Sequence, residues 1–570
     1  MIRYSLILFL LLPLGLMAQT LNESQGTGAG ISMSTGDYNV FIGDSAGTSN
    51  TAGSENVVIG ENAAFNMTSG DDNVFIGHDA GRTLTTNDDC VIIGQEAGMF
   101  NTALDNVFIG TEAGENNTSG TDNVFIGEEA GFTNTTGSDN VFIGENAGYY
   151  NTDGDDNTFV GRDAGLFNET GNRNTFIGND AGEDNSTSSR NTFVGDSAGV
   201  DCGVGIENTF IGQGAGAATE HADRNTFVGY KAGWDNNRTN STSNADYNTY
   251  LGYAAGYTNR EGEWNVGIGA SADFTNNTYE RCTFVGASST AANNDIIAVG
   301  YNAYASGQYS IGVGNEVRVQ NTGTIGFGYN AYVIGNYSIG FGYQCSTATT
   351  HSIAVGRQVD IDNTDAIGIG QLVTVQGDYS IAIGSQDTVT GANSILIGYD
   401  HNISADNTVY LGNASTTTIG GAVNWTAISD GRFKQNIQHD VPGLDFILAL
   451  RPVTYQFDIT RMKEFTGVGD HWDSLSAHAQ AKGDIRYSGF IAQEVEAAAA
   501  KIHYDFSGVQ IPKDPQNQSY GLRYATFVVP LTQAVKELHG KMEDQKQTNT
   551  RCEAKFTDLE KRIQALEIQH

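Results

Sequence analysis

The chain has 570 residues and a formal net charge of −37, with 66 Asp and Glu against 29 Lys and Arg. This acidic excess argues against nucleic acid and anionic membranes as partners, because both require clustered basic side chains. Glycine is abundant, at 72 residues, whereas no proline interrupts the long stretch between Pro13 and Pro442. Such a composition argues against an ordinary globular enzyme and predicts a long, regular backbone.

The N-terminus has the layout of a secretory signal. A short start at Met1-Ile2-Arg3 precedes an apolar run over residues 6–16 and the small residue Ala18. The run is shorter than the roughly 20 residues that span a bilayer as a helix, so we predict a signal peptide over 1–18 and a linker over 19–36. A retained anchor is the alternative. No later segment reads as a membrane helix, and we expect a secreted or cell-surface protein.

A glycine that closes an apolar triplet recurs at a fixed spacing through most of the chain. Through residues 37–286 the spacing is almost always 17, apart from a six-residue insertion around Asn237 to Asn244. Through residues 287–412 the spacing is 14 without a slip. This periodicity predicts a solenoid in which each unit forms one coil.

Each unit carries a triplet such as Val40-Phe41-Ile42, which predicts a short strand with residues one and three on one face and residue two on the other. Residue two is usually Phe in the 17-residue units and small in the 14-residue units. Because a 14-residue coil encloses little apolar area, we predict that its small-residue face packs against other chains near a shared axis. A monomeric solenoid with Phe stacked inside is the alternative. The small residues are Ala298, Gly312, Gly326, Gly340, Ala354, Gly368 and Ala382.

The 14-residue unit, as in Ser380-Ile381-Ala382-Ile383-Gly384, resembles the head repeats of trimeric autotransporter adhesins. The resemblance is close over 287–412, and 37–286 read as a lengthened variant. It implies a mainly β fold, a trimeric left-handed parallel β-roll, and a role in attachment. The chain departs from these adhesins after residue 412, which leaves its anchoring open.

The periodicity stops after Gly412, and residues 413–428 read as a neck. Three motifs follow: Ser429-Asp430-Gly431-Arg432-Phe433-Lys434, Leu450-Arg451-Pro452-Val453-Thr454-Tyr455 and Gly489-Phe490-Ile491-Ala492-Gln493-Glu494-Val495. Together they resemble the intramolecular chaperone domain at the C-terminus of phage endosialidases and tail fibres. The resemblance implies a small α+β domain over 429–530 in which Ser429, assisted by Lys434, cleaves the peptide bond that joins it to Ile428.

The cleavage chemistry is also plausible from the residues themselves. A Ser hydroxyl is a weak nucleophile, and a neighbouring Lys accepts its proton only when burial or nearby positive charge lowers the pKa of the amine. Arg432 is the candidate for that charge, and backbone N–H groups would stabilise the oxyanion. Asp430 and Asn436 either shape the turn or are polar surface. Glu494 is either polar surface or part of the site.

Residues 531–570 carry an apolar heptad seam, which predicts a coiled coil. One amphipathic helix packed on its own domain is the alternative. The five cysteines are odd in number and far apart, which indicates buried or interchain thiols, with Cys552 in the seam. The seam consists of Leu531, Val535, Leu538, Met542, Gln545, Asn549, Cys552, Phe556, Leu559, Ile563 and Leu566.

The leading functional hypothesis is a homotrimeric, adhesin-like surface fibre whose C-terminal domain drives assembly and then cleaves itself off, as a single-turnover serine endopeptidase. Its partners would be other copies of the chain and a host-surface, glycan or matrix ligand. No cofactor or metal is expected, since His439, His471 and His503 lack metal-ligand spacing and read as structural. Divalent-cation binding by the acidic surface is the less favoured reading. A glycan-processing tail-spike-like enzyme and an ice- or mineral-binding solenoid are the alternative functions.

Overall fold

The computed structural model describes residues 21–238, 244–413, 416, 418–423, 425–466, 481–516 and 518–568. The predicted signal peptide over 1–18 and His471 lie outside these residues. The chain falls into two compact units, Met1–Leu372 and Val373–His570.

The first unit is a parallel β-solenoid, which confirms the predicted fold class. Its main column contains one strand per coil, and each strand pairs in parallel with the equivalent strand one repeat later, as Phe108 pairs with Phe125. The column begins earlier than the sequence indicated, because Glu23–Gln25 pairs with Val40–Ile42. The described part of the predicted linker over 19–36 therefore belongs to a further coil.

The strands of the main column are Glu23–Gln25, Val40–Ile42, Val57–Ile59, Val74–Ile76, Val91–Ile93, Val107–Ile109, Val124–Ile126, Val141–Ile143, Thr158–Val160, Thr175–Ile177, Thr192–Val194, Thr209–Ile211, Thr226–Val228, Thr249–Leu251, Val266–Ile268, Thr283–Val285, Ile297–Val299, Ile311–Val313, Ile325–Phe327, Ile339–Tyr343, Ile353–Arg357 and Ile367–Gln371. A second column of two-residue strands accompanies the shorter coils, where the polypeptide crosses the opposite side of the coil in an extended conformation. These strands are Asp273–Phe274, Thr290–Ala291, Tyr304–Ala305, Arg318–Val319, Tyr332–Val333, Ser346–Thr347 and Asp360–Ile361.

The middle residue of each triplet points into the coil. In the 17-residue coils this residue is usually Phe, and the Phe side chains are fully buried. Phe142 and Phe159 stack with their ring centroids 4.8 Å apart and their planes 5° from parallel. This spacing equals the separation of hydrogen-bonded strands, so the backbone ladder and the ring stack have the same repeat.

Each buried ring requires a glycine beside it. Gly131 adopts φ +62°, a left-handed conformation, and a Cβ there would lie 2.6 Å from the ring of Phe125. Glycine alone meets both demands, because it tolerates positive φ and adds no side chain against the ring. The recurrence of glycine four residues after the closing glycine follows from this contact.

The 14-residue coils correct one prediction from the sequence. Their small middle residues face the interior of the coil and not neighbouring chains, since Ala298 and Ala354 are fully buried within a single chain. The physical reason lies in the opposite strand column, whose valines fill the interior. A Cβ on Gly326 would lie 2.6 Å from Cγ1 of Val319. The residues that point outward are the Ile, Val and Phe at the first and third triplet positions.

Columns of buried asparagines line the interior of the 17-residue coils. The backbone N–H of Asn123 donates to Oδ1 of Asn106 at 3.0 Å, and Nδ2 of Asn123 donates to the carbonyl of Gly137 at 2.9 Å. Each amide thereby satisfies backbone groups that the turns would otherwise leave unpaired in the interior. Cys90 occupies one position in such a column, where its backbone N–H donates to Oδ1 of Asn73 at 3.0 Å.

The second unit contains the last three 14-residue repeats and a helical module. The strands of its repeats are Thr374–Val375, Ile381–Ser385, Thr388–Val389, Ile395–Tyr399, Asn402–Ile403 and Val409–Leu411. The module has two antiparallel strand pairs, Val453–Tyr455 with Tyr487–Gly489 and Val509–Gln510 with Gly521–Leu522. Its helices are Leu444–Ala449, Ile459–Thr466, Ala492–Lys501 and Val528–Glu567, and single 3-10 turns occur at Gly431–Phe433 and Tyr524–Phe527.

The module has its own small core. Phe446 from the first helix packs against Tyr504 and Phe506, with ring centroids 5.3 and 4.9 Å away. Val495 of the third helix and Phe527 belong to the same cluster and, like Phe446 and Phe506, are nearly inaccessible to solvent, whereas Tyr504 is partly buried at its edge. The heptad seam therefore contributes none of these buried residues.

A buried polar pair lies inside the repeats of the second unit, in a column that is otherwise mostly apolar. Asp387 is fully buried and its Oδ1 accepts the backbone N–H of His401 at 3.2 Å. Within the described part of the chain, Oδ2 of Asp387 and Nδ1 of His401 have no hydrogen-bond partner. Burial raises the pKa of Asp387 to about 6 and lowers the pKa of His401.

The Phe ladder generates the first prediction. Phe159→Ala should leave a cavity between two stacked rings and cost about 3–5 kcal/mol of local stability. Because coils couple to their nearest neighbours, native-state hydrogen exchange at the amides of Ile143 and Ile177 should report the loss. Phe167→Ala, on the exposed side of the same coil, is the matched control and should cost no more than about 1 kcal/mol. Equal losses in the two variants would contradict an internal ladder.

The buried Asp387 generates a pH prediction. Its folded pKa lies above its ordinary value of 3.8, so its contribution to stability is fully present below about pH 3.8 and is lost as the pH rises through about 6. Asp387→Asn keeps an acceptor for the N–H of His401 and stays neutral. The variant should therefore unfold at a higher temperature than the wild type near about pH 7.5 and at the same temperature near about pH 3.5. A difference that is independent of pH would contradict this assignment.

Candidate cleavage site and assembly surfaces

The two residues that the sequence assigns to catalysis lie together. Lys434 Nζ donates a hydrogen bond to Oγ of Ser429 at 2.8 Å. The contact depends on the 3-10 turn Gly431–Phe433, which folds residues 429–434 back so that the two ends meet. Asp430 begins this turn, because its Oδ1 accepts the backbone N–H of Arg432 at 2.9 Å. Asp430 thus shapes the turn, which was one of the two readings left open by the sequence.

This pair is fully open to water in the single chain. Ser429 and Lys434 are both exposed, and Ile428, on the other side of the predicted scissile bond, is 89% exposed. A lysine acts as the base for a serine hydroxyl only where burial or nearby positive charge favours the neutral amine. The two side chains are close enough for proton transfer, but Lys434 is not buried in the single chain.

Arg432 does not supply the positive charge that the sequence suggested. Its Nε lies 3.0 Å from Oδ2 of Asp430, in an ion pair that also lowers the pKa of the Asp430 carboxyl. The pair neutralises the guanidinium two residues before Lys434. An arginine so close to a carboxylate has little net effect on a neighbouring amine.

Glu494 joins two of the three motifs. It forms an exposed ion pair with Arg451, in which Arg451 Nε donates to Oε2 of Glu494 at 3.0 Å. The hydrogen bonds lower the pKa of the Glu494 carboxyl. Arg451 lies two residues before the strand Val453–Tyr455, and Glu494 lies in the first turn of the helix Ala492–Lys501. The pair thus fixes the strand relative to the helix, a role that neither motif reveals alone.

Several positioning contacts were not predicted, because they join residues distant in sequence. Oε2 of Glu537 accepts the backbone N–H of Leu444 at 2.7 Å and so caps the first helix of the module from the terminal helix. The hydroxyl of Tyr524 accepts the backbone N–H of Phe490 at 3.0 Å. His439 and His503 are exposed.

Lys482 links the neck to the module. Its Nζ donates to the carbonyl of Thr416 at 3.1 Å, and the residue is only 7% exposed. Burial lowers the pKa of the Lys482 amine. This lysine follows a stretch with no motif, and the sequence offered no signal for it.

The terminal helix presents an unpartnered apolar seam. Val528–Glu567 is one continuous helix of 40 residues, about 60 Å long at 1.5 Å per residue. Gln545 donates to Asn549 within the seam at 2.9 Å. The helix is confirmed, and among the described residues no element covers the apolar side chains of its seam. The exposed apolar residues of the seam are Leu531, Val535, Leu538, Met542, Phe556, Leu559, Ile563 and Leu566.

Four of the five thiols are interior groups. Cys90, Cys202, Cys282 and Cys345 are buried and Cys552 is exposed, all of them unpaired. Burial raises the pKa of Cys90 to about 11 and that of Cys282 to about 12. A thiol with so high a pKa is a poor nucleophile and a poor metal ligand.

Carboxylates converge at one place on the first unit. Glu96, Glu112 and Glu115 each place an oxygen within 4.8 Å of the others. Burial, together with the charges of Glu112 and Glu96, raises the pKa of Glu115. All three are partly exposed, and acidic surfaces of this kind occur without a bound cation.

Within the described ranges, every helix is too short or too polar to cross a lipid bilayer.

Comparison with known protein families identifies part of the second unit. Residues 429–502 match the family described as chaperone of endosialidase. The match begins at Ser429 itself and includes Lys434, Arg451 and Glu494. A search of curated proteins returned no match to the chain. The resemblance inferred from the three motifs is thus confirmed for this segment, which follows a long β-solenoid.

The burial of the thiols generates a prediction. A native preparation treated with a maleimide should keep Cys90, Cys202, Cys282 and Cys345 unmodified, because these thiols stay protected until the solenoid unfolds. Intact-mass spectrometry before and after denaturation gives the count. Cys552→Ser removes the one thiol that is exposed in the single chain, so this variant should gain no adduct before denaturation. Labelling of Cys90 or Cys202 in the native protein would contradict their interior positions.

Proposed function

We propose that the protein is a homotrimeric, adhesin-like fibre of the extracellular surface whose C-terminal module drives assembly and cleaves the chain once, before Ser429. The observation that carries the proposal is the 2.8 Å contact between Lys434 Nζ and Ser429 Oγ at the first position of the chaperone-of-endosialidase match. The solenoid upstream of this match supports a tail-fibre-like architecture. The signal-peptide layout of residues 1–18 supports secretion.

The outer columns of the solenoid support association of chains. In the first unit, isoleucines at the first triplet position pair in register from coil to coil, as Ile311 pairs with Ile325 and Ile325 with Ile339. These side chains are only partly buried, and Phe341 at the third position is 55% exposed. Contiguous apolar surface of this kind marks an interaction site on a soluble protein. We assign these columns to the interface between chains.

The terminal seam supports the same association. Its apolar side chains follow the alternating spacing of three and four residues that coiled coils use. Burial of one such side chain contributes about 1.5–3 kcal/mol. When most of the seam is covered, the free energy gained by burial therefore exceeds the free-energy cost of association, about 4–15 kcal/mol. Gln545 and Asn549 are polar members of the seam, a device that sets register and oligomeric state.

The proposed cleavage step uses the two side chains that are in contact. Oγ of Ser429 attacks the carbonyl carbon of Ile428 and its proton passes to a neutral Lys434. The C–N bond then breaks as the α-nitrogen of Ser429 takes up the proton, which leaves an ester between Ile428 and Oγ. Water hydrolyses the ester to a carboxylate on Ile428 and a free Ser429 hydroxyl. The chain is its own substrate, so each copy reacts once.

Assembly supplies the activation that the single chain lacks. Lys434 must lose its proton before it can act as a base, and desolvation is the influence that favours the neutral amine. Ser429 and Lys434 are solvent-exposed in one chain, so a neighbouring chain that covers them would lower the pKa of the amine. Cleavage is therefore proposed to follow trimer formation.

The experiment follows cleavage and mass together. The wild type should yield a fragment of residues 429–570 with Ser429 as its N-terminus, and a solenoid fragment with the native mass of three chains. Ser429→Ala and Lys434→Ala should leave the chain intact but still trimeric. Ser507→Ala, an exposed serine of the same module, is the matched control and should cleave normally.

A second variant separates assembly from chemistry. Leu538→Asp with Leu559→Asp places charges in the terminal seam and leaves Ser429 and Lys434 untouched. Loss of both the trimer and the cleavage is the expected result. Efficient cleavage by a monomer would contradict activation by assembly, and an uncleaved wild-type trimer would contradict the proposed self-cleavage.

A further inference from the structure

The coils that flank the six-residue insertion carry aromatic side chains that the solenoid core does not use. The internal ring stack passes through these coils as Phe227 and Tyr250, with centroids 5.0 Å apart. Tyr230, Trp234, Tyr253 and Tyr257 lie outside it, on the turns that follow the strands. Lys231, the only lysine before Lys434 in the sequence, lies among them. We call the surface formed by these four aromatic residues and Lys231 the aromatic platform.

The four rings form two adjacent stacks. Trp234 and Tyr257 are parallel to within 6° with centroids 6.3 Å apart, and Tyr230 and Tyr253 are parallel to within 13° at 5.2 Å. Nζ of Lys231 lies 4.3 Å from the Trp234 centroid and 5.5 Å from the Tyr230 centroid, so it bridges the stacks. Because 6.3 Å exceeds the 4.8 Å between successive internal rings, Trp234 and Tyr257 overlap less than those rings do, and both side chains are partly exposed.

The neighbouring coil is shaped to receive the indole. Gly214 adopts φ +62°, and a Cβ there would lie 2.5 Å from Cζ3 of Trp234. The equivalent positions in the two preceding coils, Asp180 and Ser197, adopt the same left-handed conformation with a side chain present. The glycine thus provides space for the ring, which places Trp234 in a fixed orientation.

The platform has ring surface and hydrogen-bond donors but little unpaired charge. Tyr253 is 58% exposed and Tyr230 39% exposed. The nearby arginines are occupied, because Asp235 pairs with Arg260 at 2.7 Å and with Arg238 at 3.3 Å. Lys231 disfavours a cationic ligand at the same rings, and the net charge of −37 disfavours a polyanion. A neutral ligand fits these charges.

We infer that the aromatic platform binds a neutral oligosaccharide. The apolar C–H face of a hexose would pack on the exposed part of the platform rings, while the sugar hydroxyls accept from the Lys231 ammonium and exchange hydrogen bonds with the tyrosine hydroxyls. An apolar peptide would leave these donors unpaired and so fits less well. The inference rests on the proposed surface-fibre function and deepens it, because it names a ligand class and a binding site.

Isothermal titration of the full-length protein tests the inference. Four neutral hexasaccharides, of β-1,4-glucose, β-1,3-glucose, mannose and N-acetylglucosamine, are titrated to about 10 mM, which saturates a site with a Kd of about 1 mM. At least one should bind saturably to the wild type. Trp234→Ala should weaken that binding at least tenfold, and Trp234→Phe, which keeps a ring over Gly214, should weaken it less.

Trp264→Ala is the matched control, because Trp264 is an exposed tryptophan in a separate, closely overlapped stack with Tyr247, at 4.0 Å. The Kd of the Trp264→Ala variant for the sugar should stay within twofold of the wild-type Kd. No binding by any of the four sugars, or equal binding by the wild type and Trp234→Ala, would overturn the inference. Tighter binding of hexagalacturonate or of an apolar decapeptide would overturn it in favour of a different ligand class. Native mass and Ser429 cleavage are recorded on the same samples, so failure of assembly is distinguishable from failure of sugar binding.

Discussion

The interior width of a coil determines what each side chain of the repeat can do. The middle residue of every triplet points inward, so it must match the space that the coil length leaves. Seventeen residues enclose a Phe ring that stacks on the rings of the neighbouring coils, as Phe142 stacks on Phe159. Fourteen residues bring the opposite strand so close that Val319 leaves room only for Gly326. Everything else on the strand is then directed outward.

That outward direction links the solenoid to assembly. An isolated coil buries its middle residue and its asparagines, yet it leaves the first and third triplet positions partly exposed in every repeat. The terminal helix also has an exposed apolar surface, because the described residues of its own module do not cover its seam. Two apolar surfaces of different architecture are therefore left uncovered in the single chain, and the proposed trimer would cover both with a second and a third copy. Ser429 and Lys434 are in hydrogen-bond contact but solvent-exposed, which fits the proposal that cleavage follows association.

The sequence predicted the period of the solenoid, the change from 17 to 14 residues and the terminal helix, because each produces a regular spacing of glycine or apolar residues along the chain. It assigned the small residues to the wrong surface, since alternation separates two faces without saying which one lies inside. The contact between Ser429 and Lys434 followed from a family motif. The pairing of Arg432 with Asp430 did not, because a short motif does not specify which neighbour a charge selects. Contacts such as that of Glu537 with Leu444 join residues far apart in sequence, so no local sequence pattern predicts them.

Cross-linking between copies tests the assignment of the two strand faces most directly. In a Cys552→Ser background, Val355→Cys places a thiol on the outward face of a strand, and Ala354→Cys places one on the inward face of the same strand. With a short bifunctional maleimide, the account predicts chain-to-chain cross-links for Val355→Cys and none for Ala354→Cys. Cross-links through Ala354→Cys, or none through Val355→Cys in a sample of trimeric native mass, would contradict it.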